Sequence, residues 1–499
     1  MNGRTRQTRR AVIDIGSNTV RLVIYEGPQR APEVFWNEKV AARLGQNLST
    51  TGEIPEAAAE EALGALARYE LIIRDLGVED VQTVATAAAR EATNGAEFLG
   101  RVAALGLEPR LLAGEEEARF SAMGAIGAFP GAHGVVADLG GGSLELVSIA
   151  DGDSHHGSSL PLGTLRLPAL RKKKGFGKSI RKAFASVGWA HAHEGPLYMV
   201  GGTWRALARF AMNRIDYPLT DPHGFELEVD EAMELCGKLA RAKPEKLASM
   251  GGITPMRAGY LPDAGALLKV MLDEFQPEKL VFSSWGIREG LLFDRLDPLR
   301  KTQDPLLAGV NAFCEIREAT ITHATRVAGW TVEIAGGPSG GNGTSNGNER
   351  LRLAAAQLAN ALQRVEPNLR INHATEWALD KRWINCDARD RAMICAALFG
   401  SLGRTALPDS FRRLAEDDDL RRGIAWGLGI RLARRMSAGA RESIAMSSLS
   451  RKKNKLVLTL EPSRAALAHY PLTFDLEVLA NWLDLKPEIK IGEVAPAEI

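Results

Sequence analysis

Two stretches of the chain align without a gap: Val12-Ile13-Asp14-Ile15-Gly16-Ser17-Asn18-Thr19-Val20-Arg21-Leu22-Val23 and Val136-Ala137-Asp138-Leu139-Gly140-Gly141-Gly142-Ser143-Leu144-Glu145-Leu146-Val147. Each predicts a strand that ends near an aspartate, a turn containing glycine and a hydroxyl, and a second strand. Such a hairpin lets backbone N–H groups approach an anion closely. Either hairpin alone could be an ordinary tight turn. Because the aspartate recurs in both, the repeat favours two related domains that clamp a phosphate chain.

The sequence around the repeat alternates strands with helices. Short β-branched runs predict strands at Ala11–Ile15, Val20–Tyr25 and Val81–Ala85. From Glu56 to Leu76 apolar residues recur at steps of three and four, which predicts an amphipathic helix. Glu115–Ile126 predicts another helix. Strands that alternate with helices in this way indicate the α/β class.

With 499 residues the chain is too long for one hydrophobic core. We expect three domains, at residues 1–130, 131–303 and 304–499. In the third, alanine-, leucine- and arginine-rich stretches such as Leu351–Val365 and Arg389–Leu402 predict helices, and Lys455–Leu460 predicts a strand. The Gly/Ser/Asn tract Gly336–Asn348 predicts a flexible loop.

The composition excludes several classes of protein. The chain is 45% hydrophobic and 25% charged, as expected for a globular protein rather than a disordered or fibrous one. Lys+Arg 62 against Asp+Glu 61 leaves a net charge of +1, so we expect no general nucleic-acid binder. No apolar run is long enough to span a membrane, and nothing resembles a signal peptide. Four cysteines without metal-site spacing indicate the reducing cytoplasm.

The segments DIGSNTVRLVI and DLGGGSLELV resemble the two phosphate loops of the exopolyphosphatase and guanosine pentaphosphate phosphohydrolase (Ppx/GppA) family. Further segments match its motifs in the expected order: Thr86–Arg90, Gly114–Arg119, Gly201–Thr203 and Ser284–Gly290. The resemblance runs from about residue 11 to about residue 295. It implies two ribonuclease H-like domains of the actin, sugar kinase and heat-shock chaperone superfamily. It also implies a mostly helical C-terminal domain that resembles HD phosphohydrolases.

Three consecutive glutamates, Glu115, Glu116 and Glu117, begin a predicted helix. Acidic residues there can simply favour the positive end of the helix dipole. Hydrolysis of a phosphoanhydride, however, needs a group that positions or deprotonates water. The resemblance implies that Glu117 is this base, with Glu116 as the alternative.

The resemblance also implies roles for other acidic and polar residues. Asp138 and Glu145 would support Mg²⁺, with Mn²⁺ as an alternative, and the attacking water, and Asp14 would be the matching metal group of the first domain. Phosphate-binding residues would be Gly16, Ser17, Asn18, Thr19, Arg90, Gly140, Gly141, Gly142 and Ser143. Gly201, Gly202 and Thr203 would support either phosphate or the fold. At Arg257-Ala258-Gly259 the family often has an acidic third residue, so a ligand role there is weakened.

A basic run, Arg171, Lys172, Lys173, Lys174 and Lys178, either lies on a solvated face or guides a polyanion. The chain contains no His-Asp dipeptide, so we expect no second catalytic centre in the C-terminal domain. We therefore expect an exopolyphosphatase that releases orthophosphate, with a dimer as the family-based oligomeric state. A guanosine pentaphosphate 5′-phosphohydrolase, a non-catalytic sensor of guanosine penta- or tetraphosphate and a kinase of the same superfamily remain alternatives.

Overall fold

The structure is a computed structural model that describes residues 9–192, 194–334 and 345–494. The chain divides into two compact units, residues 1–303 and 304–499. We describe each unit by itself, because the candidate site lies wholly within the first.

The first sheet contains the first half of the repeat. Its strands are β1 (Arg10–Ile15), β2 (Val20–Glu26), β3 (Glu33–Val40), β4 (Asp80–Ala85) and β5 (Pro109–Leu111). They follow the order β3-β2-β1-β4-β5, in which β1 pairs antiparallel with β2 and parallel with β4. The helices of this lobe are α1 (Leu48–Thr51), α2 (Glu56–Asp75), α3 (Ala87–Glu91) and α4 (Gly95–Ala103). The predicted strands and the helix at Glu56–Leu76 are thus confirmed within one residue.

The second sheet repeats this topology. Helix α5 (Gly114–Ala128) leads into β6 (Gly134–Leu139), β7 (Leu144–Ala150), β8 (Asp153–Leu160), β9 (Leu197–Val200), β10 (Glu226–Glu228) and β11 (Lys279–Ser283). The order is β10-β11-β9-β6-β7-β8. Apart from β10, the second sheet therefore has the strand order of the first, as the gapless repeat implies.

Helices fill the connections of the second lobe. They are α6 (Leu167–Lys172), α7 (Phe176–Phe184), α8 (Gly202–Arg214), α9 (Val229–Leu239), α10 (Pro244–Ala248), α11 (Pro255–Phe275), α12 (Ile287–Asp294) and α13 (Pro298–Lys301). Two mixed sheets with helices between their strands confirm the α/β class.

Helices α5 and α12 lie between the two sheets. Phe120 of α5 and Leu291 and Leu292 of α12 pack on the face of the first sheet that carries Val12 and Tyr25. Another face of the same two helices packs on the second sheet. The helices approach so closely that a Cβ at Gly290 would lie 1.8 Å from the carbonyl oxygen of Phe120. This pair brings the two hairpin turns of the repeat to one cleft.

The second unit is mainly helical and carries a small sheet. Its helices are α14 (Pro305–Glu315), α15 (Ile321–Trp330), α16 (Ser345–Ala361), α17 (Arg370–Thr375), α18 (Ala388–Ser401), α19 (Asp417–Ser437), α20 (Arg441–Ala445) and α21 (Leu472–Trp482). Strands β12 (Ser447–Lys452), β13 (Lys455–Leu460) and β14 (Lys486–Ile491) form the sheet. Short 3-10 or π turns occupy Val332–Ile334, Leu362–Arg364, Glu376–Asp380, Asp409–Arg413 and Pro462–Leu467, and a further 3-10 segment, Ala185–Ala192, belongs to the first unit.

The predicted loop at Gly336–Asn348 lies largely outside the described residues. From Ser345 onward the prediction is wrong, because the chain is already in α16 there. The likeness of this unit to HD phosphohydrolases stays an expectation. Among the described residues, no helix combines the length and apolarity that crossing a membrane requires.

Candidate active site

The two turns of the repeat are built alike and face each other. In the first, the backbone N–H of Gly16 donates to the carbonyl of Thr19 at 3.0 Å, and in the second Gly140 donates to Ser143 at 3.0 Å. A Cβ at Gly142 would lie 2.8 Å from Ser17 Oγ. Only glycine therefore lets the second turn approach the first this closely.

A cleft of about 150 Å³ opens beside the two turns. Most residues predicted from the sequence line it: Asp14, Gly16, Ser17, Asn18, Thr19, Glu117, Asp138, Gly140, Gly141, Gly142, Ser143, Glu145, Gly201 and Gly202. The tertiary structure thus brings together residues that lie far apart in sequence.

Of the three consecutive glutamates, only Glu117 lines the cleft. Glu116 instead accepts the backbone N–H of Ala113 at 3.0 Å and caps α5, as acidic residues at a helix start commonly do. Glu115 is exposed. The structure therefore separates the two interpretations of the acidic run, since Glu116 serves the helix and Glu117 faces the site.

Glu117 is a mostly buried carboxylate held by one cation. Its side chain is 13% exposed, and its Oε2 accepts from Arg90 Nη1 at 3.1 Å. Burial raises the pKa of Glu117 to about 7, with Arg90 acting in the opposite direction and Asp138 and Asp14 adding to the rise. A carboxylate whose pKa lies near neutrality suits general base catalysis.

Arg90, predicted to contact phosphate, has two partners within the protein. Besides Glu117 it donates to the carbonyl oxygen of Leu112 at 2.7 Å, and it is not among the residues that line the cleft. In this structure its guanidinium orients Glu117. A contact with phosphate stays a prediction.

Asp138 and Glu145 form a pair of largely buried carboxylates. They are register partners on β6 and β7, so their side chains leave the same face of the sheet. Burial raises the pKa of Asp138, although a hydrogen bond from Ser121 opposes the rise. Burial also raises the pKa of Glu145 well above its ordinary value, and the charges of Glu117 and Asp138 add to this. Ser159 Oγ donates to Glu145 at 2.9 Å.

This pair fits a hard divalent cation. Buried carboxylates that repel one another gain most from a shared positive charge, and Mg²⁺ is commonly bound by one or two carboxylates together with water and substrate phosphates. Within residues 9–192, 194–334 and 345–494, no three His, Cys, Asp or Glu side chains form a ligand set of their own. Asp138 and Glu145 would therefore hold Mg²⁺ jointly with substrate oxygens.

Asp14 was expected to be the matching metal group of the first domain. In the structure its Oδ2 accepts from Arg288 Nη1 at 3.0 Å, and both side chains are largely buried. The carboxylate therefore has a cationic partner of its own.

The cleft also carries positive charge that the sequence analysis did not assign. Arg21, Arg205 and Arg257 line the cleft, and within the described part of the chain none of them forms an ion pair with a carboxylate. Burial, together with the charges of Arg288, Arg21 and Arg257, lowers the pKa of Arg205 to about 9. Burial also lowers the pKa of Arg21 and of Arg257. These guanidinium groups repel one another, and a bound oxyanion would stabilise their positive charges.

The sequence contained some indication of these three arginines. In the gapless alignment of the two repeats Arg21 corresponds to Glu145, so both occupy the equivalent position on the second strand of a hairpin. Arg257 lies in a segment whose departure from the family pattern weakened a ligand role, yet its side chain lines the cleft. Arg205 had no comparable signal, because helix α8 alone places it there.

Gly201 and Thr203 lie next to Asp138 and Arg257, which line the cleft. Gly201 has φ 109°, and a Cβ there would lie 2.9 Å from Asp138 Oδ1, so a side chain would displace the carboxylate. Thr203 is buried behind the cleft and its Oγ1 accepts from Arg257 Nη1 at 2.8 Å. Its place favours the fold-supporting alternative over direct phosphate contact.

The basic run lies outside the lining of the cleft. Arg171 donates to Asp263 at 2.9 Å and to the carbonyl of Ala240 at 2.9 Å. Lys172, Lys173, Lys174 and Lys178 are exposed. A polyphosphate path along them stays a prediction that this structure does not carry further.

Comparison with known proteins places these features in a family. Residues 23–299, more than half of the chain, match the model of the Ppx/GppA phosphatase family. The chain is 27% identical over 308 residues to Exopolyphosphatase 1 of Mycobacterium leprae, covering 58% of this chain and 90% of that protein. It is 26% identical over 337 residues to Retrograde regulation protein 2 of Saccharomyces cerevisiae, covering 59% of this chain and 57% of that protein.

A solved structure supports the same assignment. The Aquifex aeolicus member of the Ppx/GppA family aligns with a TM-score of 0.51 at 27% identity, over 60% of this chain and 99% of that one. The match over most of the first unit, with the repeated hairpins and their cleft inside it, leads to one conclusion: the chain belongs to the Ppx/GppA phosphatase family.

Proposed function

We propose that the protein is an exopolyphosphatase that hydrolyses the terminal phosphoanhydride of inorganic polyphosphate. The observation that carries the proposal is that groups of both charges line one cleft. Carboxylates (Glu117, Asp138 and Glu145), the glycine turns, and arginines that form no ion pair within the described part of the chain (Arg21, Arg205 and Arg257) all line it. Such an arrangement suits an anionic chain that water attacks at one end.

The chemistry follows from the positions of these groups. Glu117, oriented by Arg90, accepts a proton from the attacking water. The arginines hold the bridging and leaving phosphates and stabilise the charge that develops on their oxygens. Bound Mg²⁺ would supply electrostatic stabilisation of phosphate oxygens at Asp138 and Glu145. No covalent intermediate is needed, because a water-derived oxygen forms the new P–O bond while the bridging P–O bond breaks.

The relatives favour polyphosphate over guanosine pentaphosphate only by their names, since the same arginines suit the phosphates of a nucleotide. The substrate therefore has to be decided by assay. One relative is named as a regulatory protein, so binding without turnover belongs among the outcomes.

The test compares orthophosphate release from long-chain polyphosphate and from guanosine pentaphosphate, each with Mg²⁺ or Mn²⁺. Glu117→Gln should lose at least about a hundredfold in kcat, in the range of general base catalysis. Glu115→Gln, an exposed neighbour in the same helical turn, should keep the wild-type rate. Release from the nucleotide alone would assign the alternative substrate. Binding of either compound without release would indicate a sensor.

A further inference from the structure

A buried hydrogen-bond network joins the start of α12 to the first sheet. Tyr25 Oη donates to Glu289 Oε1 at 2.6 Å, and the backbone N–H of Gly286 donates to Glu289 Oε2 at 3.0 Å. The neighbouring Arg288 donates to Asp14 at 3.0 Å. Tyr25 and Glu289 are both buried, at 1% and 7% exposure. These bonds fix Glu289 at the start of α12, next to Arg288, whose side chain lines the cleft.

Arg288 interacts with two carboxylates, those of Glu289 and Asp14. Burial alone would lower the pKa of Arg288, but Glu289, Tyr25 and Asp14 outweigh burial and raise it. Glu289 keeps its charge as well, because Arg288 and the hydrogen bonds from Tyr25 and Gly286 overcome the effect of burial and lower its pKa. The cation thus has a fixed counter-charge in Glu289 that does not depend on Asp14.

The guanidinium still has an unused donor. Arg288 Nε is buried and has no hydrogen-bond acceptor in the described part of the chain. A guanidinium matches the oxygens of a phosphate with two parallel donors, whereas Asp14 receives one bond from Nη1. A phosphate bound through two of its oxygens would therefore use more of the donors of Arg288 than Asp14 does.

From this geometry we propose that Arg288 is a phosphate ligand, that Asp14 is an internal counter-anion which a substrate phosphate replaces, and that Tyr25 and Glu289 are positioning residues for Arg288. The proposal rests on the proposed function only in requiring that the cleft binds phosphate. It gives Asp14 a role other than metal ligation.

Arg288 keeps a counter-charge throughout the exchange. Glu289 stays in place because its two oxygens are bonded to Tyr25 and to the first turn of α12. When a phosphate oxygen takes the bond from Arg288 Nη1, Asp14 gives up one partner and Arg288 keeps its second carboxylate. Removing the charge of Asp14 should therefore strengthen phosphate binding, since a competing anion is lost.

Titration calorimetry with inorganic phosphate on the full chain, without added metal, tests the exchange. Arg288→Gln should weaken phosphate binding at least about tenfold, and Asp14→Asn should strengthen it several-fold. Arg119→Gln is the matched control, because Arg119 also pairs with an aspartate, Asp294, but outside the cleft lining. Weaker or unchanged binding by Asp14→Asn would overturn the exchange.

A second readout separates this role of Asp14 from metal ligation. Under the proposal, Asp14→Asn leaves the Mg²⁺ concentration for half-maximal thermal stabilisation of the protein unchanged. A several-fold increase in that concentration would instead make Asp14 a metal ligand. Neither measurement requires turnover, so the proposal can hold even where polyphosphate is not the substrate.

Tyr25→Phe tests the positioning role, with Tyr69→Phe as its control. Both hydroxyls are buried in the first lobe, but Tyr69 Oη donates to backbone carbonyls, the nearer at 3.3 Å. We expect Tyr25→Phe to weaken phosphate binding about threefold or more and Tyr69→Phe to leave it unchanged, even where both lower the melting temperature. Equal phosphate affinity in the two variants would overturn the positioning role.

Discussion

Glu117 carries its charge only in part at neutral pH, because burial raises its pKa to about 7. If Glu117 is the general base, kcat/KM should fall about tenfold per unit as the pH drops below about 7. A pH profile of phosphate release measures this directly. The residual activity of Glu117→Gln should not show this fall on the acidic side of the pH profile. A wild-type rate that stays flat from pH 5 to pH 8 would contradict the assignment.

Substitution of Arg90 should shift the acidic limb of the pH profile, the range in which the rate falls as Glu117 is protonated. The charge of Arg90 lowers the pKa of Glu117, so Arg90→Gln should shift the acidic limb to higher pH as well as lower the maximal rate. Arg110→Gln, which changes an arginine paired with Glu116 outside the cleft, should leave the limb in place. A lower rate with an unshifted limb would indicate that Arg90 acts on phosphate rather than on Glu117.

The raised pKa of Glu117 also makes the free energy of unfolding depend on pH. A carboxyl whose folded pKa is raised binds its proton more tightly in the native state than in the unfolded chain. Its contribution is fully present below the unfolded pKa of about 4.5 and is lost as pH rises through about 7. Glu117→Gln should therefore increase the free energy of unfolding at pH 8 more than at pH 5. Urea unfolding at the two pH values, with Glu115→Gln as control, checks the sign.

At the scale of elements, the contact between α5 and α12 tolerates no side chain. A Cβ at Gly290 would meet the backbone of Phe120 at 1.8 Å and that of Gly124 at 2.8 Å. We expect Gly290→Ala to lower the free energy of unfolding by about 3 kcal/mol or more, because neither backbone can move without shifting a helix. Gly64→Ala, in the exposed interior of α2 with open space around it, should raise stability by about 0.5–1 kcal/mol. Chemical denaturation distinguishes the two, and an unchanged Gly290→Ala would refute the close packing.

Sequence patterns predicted the boundaries of most elements closely, although the helix predicted at Leu351–Val365 is α16 (Ser345–Ala361). Strands β1, β2, β4 and β13 and helices α2, α5 and α18 begin and end within two residues of the predicted positions. These elements are bounded by glycine, proline, charged or other polar residues, which mark where a strand or helix begins and ends. The Gly/Ser/Asn tract failed from Ser345 onward, because composition cannot show where the helix that follows it begins.

At the scale of the whole molecule, the first unit contains all residues that line the cleft. The Aquifex aeolicus family structure corresponds to 60% of this chain and is covered over 99% of its own length. We therefore expect a chain that ends at Gln303 to fold and to bind inorganic phosphate with the affinity of the full chain. Circular dichroism and calorimetry test this. A truncated chain that folds but binds phosphate more than about tenfold less tightly would show that the second unit contributes to the site.

The sequence by itself determined the duplicated hairpins and the α/β class, because backbone turns and strand periodicity are local properties. The resemblance to a known family added further residues that line the cleft, such as Glu117 and Gly201. Only the tertiary structure decided how charge is distributed around them. Asp14 pairs with Arg288 across 274 residues of sequence, and Arg205 and Arg257 reach the cleft from different helices. It also showed that Glu117 lines the cleft whereas Glu116 caps α5, a difference that three adjacent glutamates do not reveal by themselves. Ion pairing and burial depend on which elements pack together, and no local pattern contains that information.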